Sequence, residues 1–228
     1  MKNDIINIGL PSKGRLKENT LKIFKSKKLN ITSERGERDL FGYIKKLPNT
    51  KIIYLHAREC IEQLSLGNID IGFSGYDLLR ESEFNIQKNI LIKKRLNFGH
   101  ATVVLAIADL WLDVQTLLDL DEVAEEFKKK KKRLLRVATK YPNLTRKFLY
   151  SKGVTQFQLV QSLGSTEVAP FTGTADIISD ISSTGATLKA NNLRILKDGL
   201  ILKSQAALMQ SKLATKKIGI KKIIKLLI

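Results

Sequence analysis

The sequence is poor in the residues that stabilise small secreted domains or bind transition metals. Its 228 residues include one cysteine, Cys60, which excludes an internal disulfide and fits the reducing cytoplasm. His56 and His100 are the only histidines, so we do not expect a multi-ligand zinc site. Apolar runs are short: none reaches the ~18 residues of a membrane span, and the N-terminus lacks the apolar core of a signal peptide. We therefore expect a cytoplasmic globular protein that has no membrane partner.

Acidic residues are scarce as well, 22 against 40 lysines and arginines, which gives a net charge of +18. Nucleic-acid binding is the first function that such a charge suggests. The dense basic run 128–133, however, follows acids within 121–126, and this is the order that a helix dipole favours. We therefore predict a solvated helix face and no nucleic-acid partner. The positive charge would still attract nucleotides and pyrophosphates.

Strand and helix patterns alternate along the chain, which predicts an α/β fold with mixed, mainly parallel sheets. An apolar strand over 97–109 is long enough to pass from one lobe to another. The expected domains are a first lobe, residues 1–103 plus 191–228, and a second lobe, residues 104–190, with a ligand cleft between them. The tail 212–228 carries no motif, and we expect there a helix that packs on a neighbouring subunit.

The segment 167–188 carries the most specific pattern. A predicted strand runs into the turn 182–187, which is rich in hydroxyls and backbone amides and has no bulky side chain. Such a turn before a helix can bind a phosphate. Asp176 and Asp180 frame it, and Glu167 lies thirteen residues before Asp180. Carboxylates close to a phosphate suit sugar hydroxyls or a bridging divalent cation. The alternative is an ordinary strand–turn–helix with a threonine cap.

Two other strand-to-helix turns carry cations. Lys13, Gly14 and Arg15 place two positive charges at a helix start, where they are unfavourable unless they bind an anion. The turn therefore favours a phosphate or pyrophosphate clamp over a merely basic first turn. Arg58 opens another helix after a strand, and it serves either a ligand or a surface ion pair with Glu59.

Two further strand ends carry groups suited to a nucleoside. Gly75 permits close approach of a ligand, and Asp77 either accepts hydrogen bonds from an amine or ribose hydroxyl or caps a helix. Lys140 and Tyr141 place a cation beside an aromatic ring. Tyr141 either stacks on a purine or is a core-edge tyrosine next to an Asn143 cap.

Taken together, these segments resemble the short form of the ATP phosphoribosyltransferase family, with the motifs in the family's order over about residues 5–208. The matching segments are Lys13–Leu16, Gly72–Asp77, Ala138–Asn143, Gly164–Pro170, Ala175–Asp180 and Ser183–Asn191. One departure from phosphoribosyltransferases at large is Ser179, which stands where many of them carry a second acid. The resemblance implies a two-lobed α/β fold like the type II periplasmic binding proteins rather than the general phosphoribosyltransferase fold.

The resemblance also implies the reaction: phosphoribosyl pyrophosphate and ATP give N1-phosphoribosyl-ATP and pyrophosphate, the first step of histidine biosynthesis, with Mg²⁺ as cofactor. The implied phosphoribosyl pyrophosphate ligands are Glu167, Asp180, Ser183, Thr184, Gly185, Ala186, Thr187 and Leu188. The implied ATP ligands are Lys13, Arg15, Arg58, Gly75, Asp77, Lys140 and Tyr141. Lys13, Arg15, Glu167 and Asp180 are the expected catalytic residues, whereas Asp176 is not expected to hold the sugar.

No protein ligand is assigned to the Mg²⁺, which substrate phosphates would mainly hold. The short form typically works with a regulatory subunit resembling histidyl-tRNA synthetase, in a hetero-octamer built on a homodimer core. The alternative function is a non-catalytic two-lobed protein that binds a phosphorylated small molecule.

Overall fold

A computed structural model describes residues 5–33 and 39–228, which form two compact units. Unit 1 comprises Met1–Gly99 and Gln205–Ile228, and unit 2 comprises His100–Ser204. The first boundary lies close to the expected position after residue 103. The second lies later than expected, because the strand that begins at Leu193 continues to Ser204 within the sheet of unit 2.

Within the described residues, seven strands of unit 1 form one mixed sheet in the order β2-β3-β4-β1-β5-β12-β6. The strands are β1 (Ile6–Pro11), β2 (Ile31–Thr32), β3 (Phe41–Ile44), β4 (Thr50–Leu55), β5 (Ile71–Gly75), β6 (Ile90–Arg95) and β12 (Ala206–Ser211). The helices are α1 (Gly14–Ser26), α2 (Ala57–Leu66), α3 (Tyr76–Glu81), α4 (Phe84–Gln87) and α8 (Ile220–Leu227). The apolar strand expected over 97–109 is present but shorter, as the strand Ala101–Ala108, and it lies wholly within unit 2 instead of passing from one unit to the other.

The centre of this sheet is parallel, with β1 between β4 and β5. All three strands therefore end at the same edge, and each is followed by a helix or a turn into one. Close packing of α2 on the sheet requires a glycine, because a Cβ on Gly72 would lie 2.7 Å from Cys60 Sγ. Burial raises the pKa of the Cys60 thiol to about 12, so Cys60 acts as a packing residue.

The C-terminal segment packs on its own chain. Helix α8 buries Ile220, Ile223, Ile224 and Leu227 against the core of unit 1. Nearby, the Lys217 ammonium donates to the buried Asp70 carboxylate at 2.9 Å. The expectation that the tail packs on a neighbouring subunit is therefore wrong for the buried face of this helix. Its isoleucines and leucines recur at helical spacing and form an apolar face, which packs on the core of unit 1 in the same chain.

Within its described strands, unit 2 contains a five-stranded mixed sheet in the order β11-β7-β10-β8-β9. The strands are β7 (Ala101–Ala108), β8 (Leu135–Thr139), β9 (Phe157–Gln161), β10 (Ile177–Ser182) and β11 (Leu193–Ser204). The helices are α5 (Leu117–Lys131), α6 (Pro142–Ser151) and α7 (Ala186–Ala190). The strands β9, β8 and β10 are parallel, whereas β7 and β11 pair in the antiparallel sense. Mixed sheets are as predicted. The two sheets contain more antiparallel pairs of neighbouring strands, however, than the alternation of strands and helices in the sequence indicates.

The basic run 128–133 forms the last turn of helix α5 and the start of the loop after it. Thr116 and Asp119 form a reciprocal capping box at the start of this helix. Exposed i,i+4 ion pairs join Glu125 to Lys129 at 3.8 Å and Glu126 to Lys130 at 3.0 Å. Acids thus precede bases on a solvated helix, in agreement with the sequence prediction. Among the described residues, no helix is both long enough and apolar enough to cross a membrane.

Replacing both Lys129 and Lys130 by glutamine should have little effect. Exposed ion pairs of this kind contribute at most about 0.5 kcal/mol each. We expect a loss of less than ~1 kcal/mol in the free energy of unfolding, measured by urea denaturation. A larger loss would show that the run has a role beyond solvation of the helix.

Candidate functional site

The ends of three parallel strands bring the turn 182–187 of unit 2, the candidate phosphate turn, together with the segment Thr139–Tyr141. Thr139 pairs with Ser179 of β10 on one side and with Gln161 of β9 on the other. Carboxyl ends of parallel strands meet at one edge of a sheet, and such an edge is where open α/β sheets bind ligands. The segments that follow these strands are therefore neighbours in space.

The turn after β10 is accessible to solvent, and hydrogen bonds within it fix its conformation. Gly185 has φ of +76°, a conformation that favours glycine. The Ser182 hydroxyl accepts a hydrogen bond from the Gly185 amide at 2.9 Å, and the Thr184 hydroxyl accepts one from Ala186 at 3.3 Å. The exposed residues of the turn are Ser183, Thr184, Ala186 and Thr187. Leu188 instead lies in the hydrophobic core, where its side chain anchors α7. Its backbone, and not its side chain, is therefore suited to a ligand.

Asp180 is the buried carboxylate at this edge, with 6% of its surface exposed. Its Oδ1 accepts a hydrogen bond from the Ile181 amide at 2.7 Å, and its Oδ2 lies 3.7 Å from the Lys140 ammonium. Lys140, which the resemblance places on the ATP side, is thus in contact with a residue expected to hold the ribose. This contact was not foreseen from the sequence, because the register between β8 and β10 leaves no local signal.

Glu167 lies in the 3-10 turn Thr166–Val168, which is tied to the same edge. The buried Thr166 hydroxyl contacts the Ser162 hydroxyl at 3.0 Å, and the Ser162 amide donates to the Thr139 carbonyl at 3.1 Å. The glutamate side chain is half-buried. The structure therefore anchors the turn that carries Glu167 to the end of β8, one residue before Lys140.

Asp176 lies before the other end of β10 and has a structural role. Two nitrogens of the Arg133 guanidinium donate to its carboxylate at 2.6 and 2.8 Å, and the Arg136 amide donates at 2.8 Å. Burial by itself would raise the pKa of Asp176, but hydrogen bonds from these arginines outweigh it and lower the pKa to about 2. Asp176 is thus satisfied by protein groups, as expected for an acid that does not hold the sugar.

Tyr141 is buried, with 5% of its surface exposed. Its amide donates to the Thr139 hydroxyl at 2.9 Å, and it occupies the N-cap position of α6 without a side-chain cap bond. The burial fits the core-edge alternative better than stacking on a purine. Asn143 is not the cap that this alternative included, since Pro142 begins the helix.

In unit 1, Lys13 and Arg15 are exposed at the start of α1. Gly14 between them has φ of +71°, and the first turn of the helix holds no acid. The Ser12 amide donates to the Leu55 carbonyl at 2.8 Å, which ties this turn to the end of β4. Two cations at the positive end of a helix dipole form an electrostatically unfavourable arrangement that an anion would relieve.

The turns that carry Arg58 and Asp77 are also neighbours. The Ser74 hydroxyl donates to the Ala57 carbonyl at 2.6 Å, which joins the end of β5 to the start of α2. Asp77 is buried in the first turn of α3, whose N-cap is Gly75, so Asp77 is not the cap. A Cβ on Gly75 would lie 2.5 Å from Asp77 Oδ1. The glycine is therefore required for the position of this carboxylate.

Metal ligation by the protein alone finds no support here. In residues 5–33 and 39–228, no group of three or more histidine, cysteine, aspartate or glutamate side chains could hold an ion. Asp180 and Glu167 remain as oxygen donors on segments that lie at the sheet edge of the turn 182–187. One or two carboxylates are the usual protein contribution to a Mg²⁺ that substrate phosphates also bind.

An exposed turn rich in hydroxyls and amides, with the buried Asp180 carboxylate at the same sheet edge, is the arrangement expected of an α/β protein that binds a phosphorylated sugar or nucleotide. The chain belongs to the family described as HisG: ATP phosphoribosyltransferase, which matches residues 56–228. It is 48% identical over 205 residues to the ATP phosphoribosyltransferase of Nitrobacter winogradskyi, covering 90% of this chain and 63% of that protein. It is 44% identical over 211 residues to that of Mesorhizobium japonicum, covering 92% of this chain and 91% of that protein. The chain thus spans less than two thirds of the first relative and nearly all of the second.

Solved structures confirm the fold. An ATP phosphoribosyl transferase (HisG:HisZ) complex from Thermotoga maritima contains a chain with a TM-score of 0.73 and 25% identity, covering 97% of this chain and 96% of that one. The arginine-, lysine-, histidine-binding protein ArtJ of Geobacillus stearothermophilus has a TM-score of 0.55 at 9% identity, covering 97% of this chain and 87% of that one. The predicted likeness to periplasmic binding proteins is therefore confirmed.

Proposed function

We propose that this chain transfers the phosphoribosyl group of phosphoribosyl pyrophosphate to N1 of the adenine of ATP and releases pyrophosphate, as the first step of histidine biosynthesis. One observation carries the proposal: in a chain of this family, the exposed turn 183–187 and the Asp180–Lys140 pair lie at one sheet edge. The turn suits a phosphate and the carboxylate suits ribose hydroxyls. Together they match a phosphorylated sugar.

The chemistry of the transfer explains this choice of groups. Breaking the bond between C1 of the ribose and pyrophosphate leaves positive charge on the sugar ring and negative charge on the leaving group. The 183–187 turn would hold the 5-phosphate, and Asp180 and Glu167 would bind the ribose hydroxyls and stabilise the positive ring. The Lys140 ammonium, 3.7 Å from the Asp180 carboxylate, would hold that carboxylate in its orientation. No protein nucleophile is needed, because N1 of adenine attacks C1 directly.

The second substrate would use unit 1. Lys13 and Arg15 are exposed cations at a helix start, and they would bind the ATP phosphates or the departing pyrophosphate. Arg58 and Asp77, on neighbouring turns, would orient the nucleoside. Release of the unfavourable charge at the start of α1 would add to the binding of an anion there.

Mg²⁺ would neutralise the pyrophosphate when it is bound with the substrate, and Asp180 or Glu167 would contribute oxygen ligands. The positively charged chain would favour the encounter with both anionic substrates. The enzyme would work in the cytoplasm, where both substrates are made and where the buried thiol of Cys60 would remain reduced.

A regulatory subunit resembling histidyl-tRNA synthetase is part of the proposal, in a hetero-octamer built on a homodimer of this chain. The HisG:HisZ complex from Thermotoga maritima, to which the chain is similar, supports a two-component enzyme.

The test is an assay of the purified chain with ATP, phosphoribosyl pyrophosphate and Mg²⁺, alone and with the candidate regulatory subunit of the same genome. We expect pyrophosphate and phosphoribosyl-ATP to form in equal amounts. Pyrophosphate is measured by a coupled assay, and phosphoribosyl-ATP is measured by its absorbance. Reactions without ATP are the control for hydrolysis of phosphoribosyl pyrophosphate. Binding of a substrate without turnover, even with the second subunit present, would instead favour a non-catalytic binding protein.

A further inference from the structure

A chain of buried hydroxyls lies beneath the Asp180–Lys140 pair. Thr145, in the first turns of α6, donates from its hydroxyl to the Ser179 hydroxyl of β10 at 2.8 Å. The Thr139 hydroxyl of β8 lies 3.2 Å from the same Thr145 oxygen. Thr145 and Ser179 are 0% exposed and Thr139 is 1% exposed, so water cannot replace any of these bonds. The three side chains join two neighbouring strands to one helix.

The direction of the bonds is fixed by the number of protons. A hydroxyl has one proton, and that of Thr145 is donated to Ser179. Thr139 must therefore donate to Thr145, and its own oxygen accepts from the Tyr141 amide at 2.9 Å. The bonds run in one direction from the turn that follows β8 to the strand that carries Asp180. Such directed chains strengthen each member.

The network ends next to the two charged groups of the site. Thr139 directly precedes Lys140, and Ser179 directly precedes Asp180. Successive residues of a strand point to opposite faces, so the hydroxyl of Ser179 serves the network while the carboxylate of Asp180 faces the other way. The Lys140–Asp180 separation of 3.7 Å thus depends on how the ends of β8 and β10 are held together.

We infer that Thr145 is a positioning residue: its hydroxyl, bonded to both Thr139 and Ser179, holds the turn of Lys140 against Asp180. The residue touches no substrate itself. Its effect on catalysis rests on the proposed phosphoribosyl transfer, whereas its effect on the turn does not.

The first test compares Thr145→Val, which keeps the shape and removes the hydroxyl, with Thr145→Ser, which keeps the hydroxyl. We expect the valine variant to raise KM for phosphoribosyl pyrophosphate about tenfold, and more than KM for ATP, and the serine variant to stay within about threefold of wild type. Thr50→Val is the matched control, since Thr50 is a buried threonine that donates to a backbone carbonyl, Leu47, at 2.6 Å at the start of β4. Equal KM effects in the Thr50 and Thr145 valine variants would overturn the inference.

A double-mutant cycle separates positioning from stability. If Thr145 acts through Lys140, Thr145→Val should lose most of its kinetic effect in a Lys140→Met background. Multiplicative effects of the two changes would mean that Thr145 does not act through this cation, and would overturn the inference.

A third measurement needs no turnover and so separates this inference from the proposed function. Hydrogen exchange of the unliganded protein, followed by NMR, should be about tenfold faster at the Tyr141 and Ile181 amides in Thr145→Val than in wild type or Thr145→Ser. Unchanged exchange at both amides would overturn the positioning role. A wild-type chain that shows no turnover would instead refute the proposed function, and the exchange result would still decide the role of Thr145.

Discussion

Replacing Asp180 by asparagine should lower kcat for phosphoribosyl transfer by about 10²–10³-fold, because the sugar would lose the carboxylate that stabilises its developing positive charge. The fold should survive, since an asparagine oxygen can still accept the hydrogen bond that the Ile181 amide donates to Asp180. The measurement is steady-state kinetics with both substrates and with the regulatory subunit, together with a thermal melt of each protein.

Asp198→Asn is the matched control for this variant. Asp198 also belongs to unit 2 and also accepts one backbone hydrogen bond, from the Leu117 amide at 2.9 Å. It lies outside the proposed substrate ligands, so its turnover should remain near that of wild type. Near-normal turnover in Asp180→Asn would mean that this carboxylate does not bind the reacting sugar.

Much of the fold could be predicted because its signals are local. Helix α2 begins where the sequence predicts a helix start, around Arg58 after a strand, and Gly67 closes it in a left-handed conformation with φ of 77°. Strand β12 was missed, because its place between β5 and the edge strand β6 depends on antiparallel pairing with segments far away in the sequence. Strand β6 was missed as well, because its second half is positively charged and exposed and so lacks the apolar run of a buried strand. Long-range pairing of this kind leaves no periodic mark in the sequence.

The candidate site shows the same division. The turn 182–187 was predicted from its composition, and the four residue steps from Asp176 to Asp180 span roughly 13 Å in an extended strand. That spacing explains why Asp180 lies near the turn 182–187, whereas Asp176 lies just before the other end of β10. The contact of Lys140 with Asp180 and the bonds of Thr145 depend on the register of β8 with β10. Register is a property of the assembled sheet, so these contacts were found in the structure alone.

Replacing Asp176 by asparagine should destabilise the chain and leave the site geometry intact. The change would leave the Arg133 and Arg136 guanidinium groups without their shared carboxylate, at a cost of about 2 kcal/mol, or ~4–8 °C in Tm. The cost is below that of a fully buried pair, because the arginine side chains are 34% and 27% exposed. Asp198→Asn again serves as the control, with an expected loss below ~1 kcal/mol.

The pH dependence of this loss tests its electrostatic origin. The pKa of Asp176 is about 2 in the folded chain and 3.8 as a free group, so the unfolded chain binds the proton first. The stabilisation is therefore fully present above about pH 4 and is lost as the pH falls toward 2. The shift corresponds to roughly 1–2 kcal/mol after allowance for the partial exposure of the arginines.

Urea denaturation of wild type and Asp176→Asn at neutral pH and near pH 2.5 would measure this difference directly. Other carboxylates titrate alike in both proteins, so the difference between the two unfolding free energies isolates Asp176. We expect the gap between the two proteins to narrow by about 1 kcal/mol at the lower pH. A gap that does not change with pH would show that the two arginines stabilise this strand end by packing rather than by charge, since the stems of arginine side chains also cover apolar surface.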